Sequence, residues 1–223
     1  HGFPLELARE IAENKGFSID EAGFQKELAQ QRDRAREAGL RVDKLRSELE
    51  QMIPAELPAT KFTGYQHLTA EGKVLWLDTK AGLFVTDQTP FYGEAGGQVG
   101  DVGKLKINNL QLKIEGTLKT ERGVIVHQVE ELKGIKVGDT IELKVDIALR
   151  RNIEANHTGT HLLHAALRQV LGESATQAGS YVGPDYLRFD FAQRGSVPKD
   201  KLKIIDAIVN EKIKENIKVT MLT

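Results

Sequence analysis

Three histidines carry the clearest chemistry in the sequence. His157-Thr158-Gly159-Thr160-His161 places two imidazoles at i and i+4, and His164 follows at i+7. On a helix those positions share one face. Neutral imidazole is a good borderline ligand, so two nitrogens one turn apart can grip a single Zn²⁺. The same spacing also fits packed or solvated histidines. Zinc asks for three or four protein ligands, and no clear second pair is offered. The residue after the first histidine is Thr158, not the Glu general base of HExxH proteases, which argues against peptide hydrolysis.

A second cluster runs Asp87-Gln88-Thr89-Pro90-Phe91-Tyr92-Gly93-Glu94-Ala95-Gly96-Gly97-Gln98-Val99-Gly100-Asp101. A glycine pair lets backbone amides approach a ligand and aims the Gln98 amide outward. Thr89 adds a hydroxyl, and Glu94 a carboxylate beside two aromatics. A glycine-rich turn with ordinary packing reads the same way. The third stretch is Gln177-Ala178-Gly179-Ser180 followed by Leu187-Arg188-Phe189-Asp190-Phe191. Strand alternation puts Arg188 and Asp190 on one face and Leu187, Phe189 and Phe191 on the other. That pair serves equally as a site or as surface charge. Arg150, Arg151 and Arg168 have the chemistry to meet phosphate, although basic residues on a helix usually form a solvated face.

These residues need elements to position them. Pro4, an apolar face of Leu5, Leu7, Ala8, Ile11 and Ala12, and Gly16 as a cap predict a first helix. Ser18-Ile19-Asp20-Glu21 has the form of a capping box. Between it and Pro54 there is no proline, and Ala38, Val42, Leu45, Leu49 and Met52 repeat at 4, 3, 4, 3, the seam of a coiled coil. The spacing predicts one helix roughly 50 Å long, a spacer between domains or a surface helix, with Gly39 as its weak point. From Lys61 the pattern changes to short strands. Lys80-Ala81-Gly82 and Asn108-Asn109 read as hairpin turns, and Val124–Val126 and Ile141–Val145 as further strands, which predicts a small β-barrel or sandwich. Helix returns from about Leu149 to Leu171, stopped by Gly172. A hairpin over 178–191, a helix opened by Pro198 and a strand over Ile217–Leu222 complete the reading.

Composition bounds the class. The chain has 223 residues, 40% hydrophobic and 28% charged, with 31 basic against 32 acidic residues and no Cys. That is long enough for one to two domains and is not the profile of a disordered chain. Without Cys there is no disulfide, Cys nucleophile or Cys-held zinc within these residues. No apolar run approaches the ~20 residues of a membrane span. A formal charge of -1 gives no global attraction to nucleic acid, so any such affinity must be local. The start, His1-Gly2-Phe3-Pro4, is neither an initiator methionine nor a signal peptide and reads as cut from something longer.

In this order the motifs are far more specific than any one alone. Gly2-Phe3-Pro4-Leu5-Glu6-Leu7, the Gln31–Arg36 run, Thr89-Pro90-Phe91-Tyr92 with Gly96-Gly97-Gln98-Val99-Gly100-Asp101, Asn156–His164 and Leu187–Phe191 closely resemble the middle of the alanyl-tRNA synthetase family. The resemblance covers essentially the whole chain. It implies an α+β chain in three parts: residues 1–59 as the helical end of a tRNA-recognition region with a long linker helix, 60–148 as a β-barrel subdomain carrying the glycine motif, and 149–223 as a partial editing core. The implied activity is hydrolysis of the ester in serine or glycine wrongly joined to tRNA(Ala), in the cytoplasm, with neither membrane nor DNA as partner. The implied metal is Zn, held by His157 and His161 and by a later Cys-x-x-x-His that this chain lacks. ATP and Mg would belong to an aminoacylation domain outside it.

Under that resemblance Thr89, Glu94 and Gln98 are expected to line the reacting cavity, with Thr89 bonding the serine hydroxyl that alanine lacks. Gly96, Gly97, Arg150, Ser180, Arg188 and Asp190 are expected to meet the substrate or its tRNA. A site built on a hydroxyl can reject a methyl by leaving a polar group unpaired, which is what a second sieve needs. A free-standing trans-editing hydrolase and a non-catalytic RNA-binding module are the other readings. The whole rests on one spatial expectation: the imidazoles of 157 and 161 and the amide of Gln98 must converge.

Overall fold

The computed structural model describes residues 15–193 and 195–217, together with Arg9 and Ala12. The strand expected at Ile217–Leu222 and most of the first expected helix lie outside the described residues. The chain divides into two compact units, His1–Met52 and Ile53–Thr223.

In the first unit a long helix, α1, spans Glu21–Met52. Its 32 residues rise about 48 Å. The backbone stays helical through Gly39, so the expected weak point does not break it. The helix starts one residue after Asp20, whose carboxylate accepts from Gly23 N at 2.8 Å. Asp20 is therefore the cap, in place of the expected Ser18, because it alone immediately precedes the first turn. Pro54 stands two residues past the last helical residue, Met52, where the missing amide and fixed φ forbid continuation.

The second unit is built on a closed antiparallel barrel. Strands are β1 (Lys61–Phe62), β2 (Thr69–Asp78), β3 (Leu83–Thr86), β4 (Gln88–Thr89), β5 (Gly103–Ile107), β6 (Leu110–Lys119), β7 (Ile125–Val129) and β8 (Thr140–Val145). The barrel order is β2-β3-β7-β6-β5-β8, closing on itself, and β1 pairs in parallel with β4 beside it. Closure removes the exposed edges that six short strands would otherwise present. Along β8 burial alternates strictly, with Ile141, Leu143 and Val145 inward. They meet Val74, Phe84, Phe91, Leu105 and Ile114 in one core. Asn108 adopts φ 50° in the β5–β6 turn, a conformation Asn tolerates.

After the barrel the chain turns helical as α2, Ile147–Leu171. Asp146 accepts from Ala148 N and Leu149 N at 3.0 and 3.1 Å, which starts the helix two residues before the expected Leu149. Strands β9 (Gln177–Val182) and β10 (Leu187–Phe191) form an antiparallel hairpin, and α3 (Lys199–Glu215) follows Pro198. Ala166, Leu167, Ala175 and Ile205 make a second core, with Leu163, Phe189 and Phe191 against it. The architecture is mixed α+β, as expected.

Candidate active site

The glycine loop is held in place before any side chain acts. Glu94 N donates to Thr117 O at 2.9 Å, fixing the loop to β6. On its far side Val182 N donates to Gly97 O at 2.8 Å and Val99 N to Val182 O at 3.0 Å, fixing it to β9. Gly97 has φ +84°, and a Cβ there would meet Ser180 O at 2.5 Å, so only glycine lets the loop lie this close to the strand. The helix is tied to the same hairpin, since Asn156 Nδ2 donates to Gly183 O at 2.8 Å. Loop, hairpin and α2 therefore share one corner of the unit.

At that corner Gln98 Oε1 lies 2.6 Å from His157 Nδ1, and His157 Nε2 lies 3.0 Å from His161 Nε2. Gln98 is 8% exposed. An amide oxygen can only accept, so Nδ1 is the protonated nitrogen of His157, and its Nε2 carries the lone pair. Nε2 then accepts from His161. The pKa of His157 is lowered, first by burial and then by the neighbouring imidazole, which favours the neutral ring. Around the pair lies a cleft of about 120 Å³, lined by Gly96, Thr160, His164, Gln177, Ser180 and Phe189 among others.

Does this pair fit zinc? Tetrahedral coordination at about 2.0–2.1 Å separates two ligand nitrogens by about 3.3 Å. The observed 3.0 Å between the two Nε2 atoms is close to that. Gln98 meanwhile fixes the tautomer a ligating histidine needs. The two imidazoles thus fit as half of a metal site. Among the described residues no group of three His, Cys, Asp or Glu side chains could complete it.

Residues 1–149 match the sequence family described as tRNA synthetases class II (A). The chain belongs to that family. Alanine–tRNA ligase of Anaeromyxobacter dehalogenans is 42% identical over 227 residues, covering 96% of this chain and 25% of that protein. The ligase of Methylacidiphilum infernorum is 42% identical over 220 residues, covering 99% of this chain and 23% of its own length. That of Alkaliphilus oremlandii is 41% identical over 227 residues, 96% of this chain and 26% of the relative. This tRNA-synthetase chain spans about a quarter of the length of the curated relatives it matches.

The structure sorts the expected site residues of this synthetase chain. His157, His161 and Gln98 converge, and Gly96 and Ser180 line the same cleft. Glu94 is half-buried in the loop, where its backbone bridges Leu118. Arg188 and Asp190 pair with each other at 3.1 Å on the exposed face of β10 and do not line the cleft.

Two expectations need correction. Thr89 is 0% exposed inside the barrel region. Its hydroxyl accepts from Phe91 N at 3.1 Å and meets His127 Nε2 at 2.8 Å, so it shapes the base of the glycine loop rather than facing the cleft. Arg150 is not available to substrate either. Its guanidinium is buried, forks onto the Asp101 carboxylate and donates to Gly64 O and Pro90 O at 2.9 and 2.8 Å. Both are polar residues at the junction of loop and barrel, where burial demands internal partners.

The sequence reading passed over His127, Thr160 and the Asp101–Arg150 pairing. His127 had a usable signal, a lone polar ring on the inward side of Ile125–Val129. Thr160 donates to Asn156 O at 2.8 Å, an ordinary helical back-bond that no motif announces.

Proposed function

We propose that this region removes a wrongly attached small amino acid from tRNA(Ala) by hydrolysing the aminoacyl ester, within a longer alanine–tRNA ligase. The observation that supports it most is the 2.6 Å contact between Gln98 and His157, which joins the glycine loop to the HxxxH helix in one cleft. An aminoacyl ester is already activated, so the site has only to position a water and stabilise the oxyanion that forms. Water adds to the carbonyl carbon, and the bond to the ribose oxygen then breaks. The ribose oxygen leaves with a proton, and the free amino acid departs. A cleft of about 120 Å³ suits a seryl or glycyl group, with the nucleotide remaining outside.

Each residue has a part. His157 and His161 would hold Zn²⁺ through their Nε2 atoms, completed by ligands beyond this chain. Bound zinc would act as a Lewis acid or anchor the substrate amine. Gln98 keeps the His157 lone pair on Nε2. Ser180 accepts from Gln177 Nε2 at 3.1 Å and keeps its own proton to donate, so it offers a hydroxyl to a seryl side chain that alanine could not satisfy. Gly96 and Gly97 let the loop lie close to the ester.

The test is deacylation of Ser-tRNA(Ala) by the full-length enzyme. His157→Ala with His161→Ala should abolish it while alanine charging persists. Gln98→Ala should lower it about 10- to 100-fold, the usual effect of losing the partner that orients a metal-ligating histidine. Normal deacylation in both variants would refute the site.

A further inference from the structure

A second surface lies on the outside of the barrel, over β5, β6 and β8. There the strand register sets Lys104 directly between Lys113 of β6 and Lys144 of β8. Three ammonium-bearing side chains therefore stand side by side on adjacent strands, about 5 Å apart at Cβ. Directly opposed like charges weaken a sheet, and the neighbouring row shows the usual remedy. In it Lys106 stands between the neutral Gln111 and the acidic Glu142, so no like charges are opposed. All four lysines are exposed. Lys113 reaches Glu115 at 3.7 Å, whereas Lys104, Lys106 and Lys144 have no acidic partner within ion-pair distance among the described residues. The chain as a whole carries a formal charge of -1, so the row does not follow from composition.

The same side chains wall a groove of about 760 Å³ that runs to the first turn of α2, with Val102, Leu105 and Ile147 among its apolar lining. Its lining includes no aromatic residue, so it has no platform on which an unpaired base could stack. Long flexible stems ending in point charges instead suit phosphate oxygens.

We propose that the Lys104–Lys113–Lys144 row is a docking surface for the phosphate backbone of duplex RNA, read by charge and not by sequence. An RNA backbone would neutralise the repulsion that the protein leaves uncompensated. The proposal shares an RNA partner with the hydrolytic reading but requires neither zinc nor ester cleavage. Failure of one therefore leaves the other standing.

The experiment measures binding of the 223-residue chain to a tRNA(Ala) transcript and to an RNA hairpin of unrelated sequence, across a salt series. Each phosphate contact contributes about one to the slope of log K against log salt. The triple variant Lys104→Gln, Lys113→Gln, Lys144→Gln should weaken both RNAs alike and reduce that slope by about two to three. A control triple of exposed lysines elsewhere, Lys61→Gln, Lys80→Gln, Lys136→Gln, should leave it unchanged. Thermal midpoints at low salt should be no lower for the first triple than for wild type, because repulsion is relieved. An unchanged slope in the first triple, or equal losses in both triples, overturns the proposal. So does a row that binds polyglutamate but neither RNA, which would assign the face to an acidic protein.

Discussion

Two polar clusters sit within the second unit and use the same residue types in opposite ways. At the junction of loop and barrel, Thr89, His127, Asp101 and Arg150 are all buried, and each bonds to another of them. At the corner of α2, His157 and His161 are exposed to a cleft, and Gln98 behind them is buried. The buried cluster is closed to solvent, with the Arg150 guanidinium spent on Asp101, Gly64 O and Pro90 O, and His127 Nδ1 the one ring nitrogen there without a hydrogen-bond partner among the described residues. The open cluster leaves two imidazole nitrogens 3.0 Å apart on the wall of a cleft that a ligand can reach. The difference teaches that a polar residue in a motif becomes functional through access. The motif alone does not distinguish the support of a site from the site.

Breaking the buried cluster should have the largest effect. Arg150→Ala leaves the Asp101 carboxylate buried and unpaired and strands Gly64 O and Pro90 O, so denaturant unfolding should show a loss of about 3–5 kcal/mol. A loss below about 1 kcal/mol would mean that the pair is open to water and that Arg150 belongs with the ligand-binding residues.

His127 gives the next effect, through pH. Burial lowers its pKa from 6.5 to about 4, opposed in part by a backbone contact with Phe84. Between those values the unfolded chain binds more protons than the folded one, so stability rises with pH across that window. Stability present at neutral pH should therefore fall as pH drops from about 6.5 to about 4, by roughly 3 kcal/mol. Comparing the thermal midpoints of wild type and His127→Leu over that range isolates the contribution. Parallel curves would show that His127 is not sealed from solvent.

Thr89→Val sharpens the contrast at smaller scale. It removes the hydroxyl that pairs with Phe91 N and His127 Nε2, and should cost about 1–3 kcal/mol in unfolding free energy. Gln98→Ala, at the open cluster, should change stability by less while reducing deacylation. A Thr89→Val enzyme as stable as wild type but unable to deacylate would return Thr89 to the cleft.

The weakest effect expected is on metal. With two imidazoles and no Cys in the sequence, this chain should bind Zn²⁺ only weakly, since closed sites use four ligands. Elemental analysis or titration finding tight stoichiometric zinc would show that the cleft completes the coordination by itself.

Much of the fold was legible because its signals are local. Hairpin turns at Lys80–Gly82 and Asn108–Asn109, the stop at Gly172 and the opening at Pro198 each depend on one or two residues with restricted or permissive backbones. All four recur in the structure. The Asp20 and Asp146 caps were missed, because several nearby polar side chains could each cap and only chain geometry selects one. The site was half legible. The i, i+4 spacing put the histidines on one face, and the glycine pair marked a close approach. Nothing in Thr89 or Arg150 reveals burial, because both types are common at surfaces and become internal only when loop, barrel and helix close over them.

The sequence by itself determined which atoms were available: two imidazoles one turn apart, an amide behind two glycines, and lysines on each of three strands. These follow from helical and strand periods, which depend on neighbours along the chain. Only the tertiary structure decided which of those atoms meet. Gln98 reaches His157 across 59 positions, and Arg150 reaches Asp101 across 49. Lys104 stands between Lys113 and Lys144 because the barrel closes in that register. Long-range pairing of this kind is set by how the cores of barrel and helices fill, and that is a property of the whole unit.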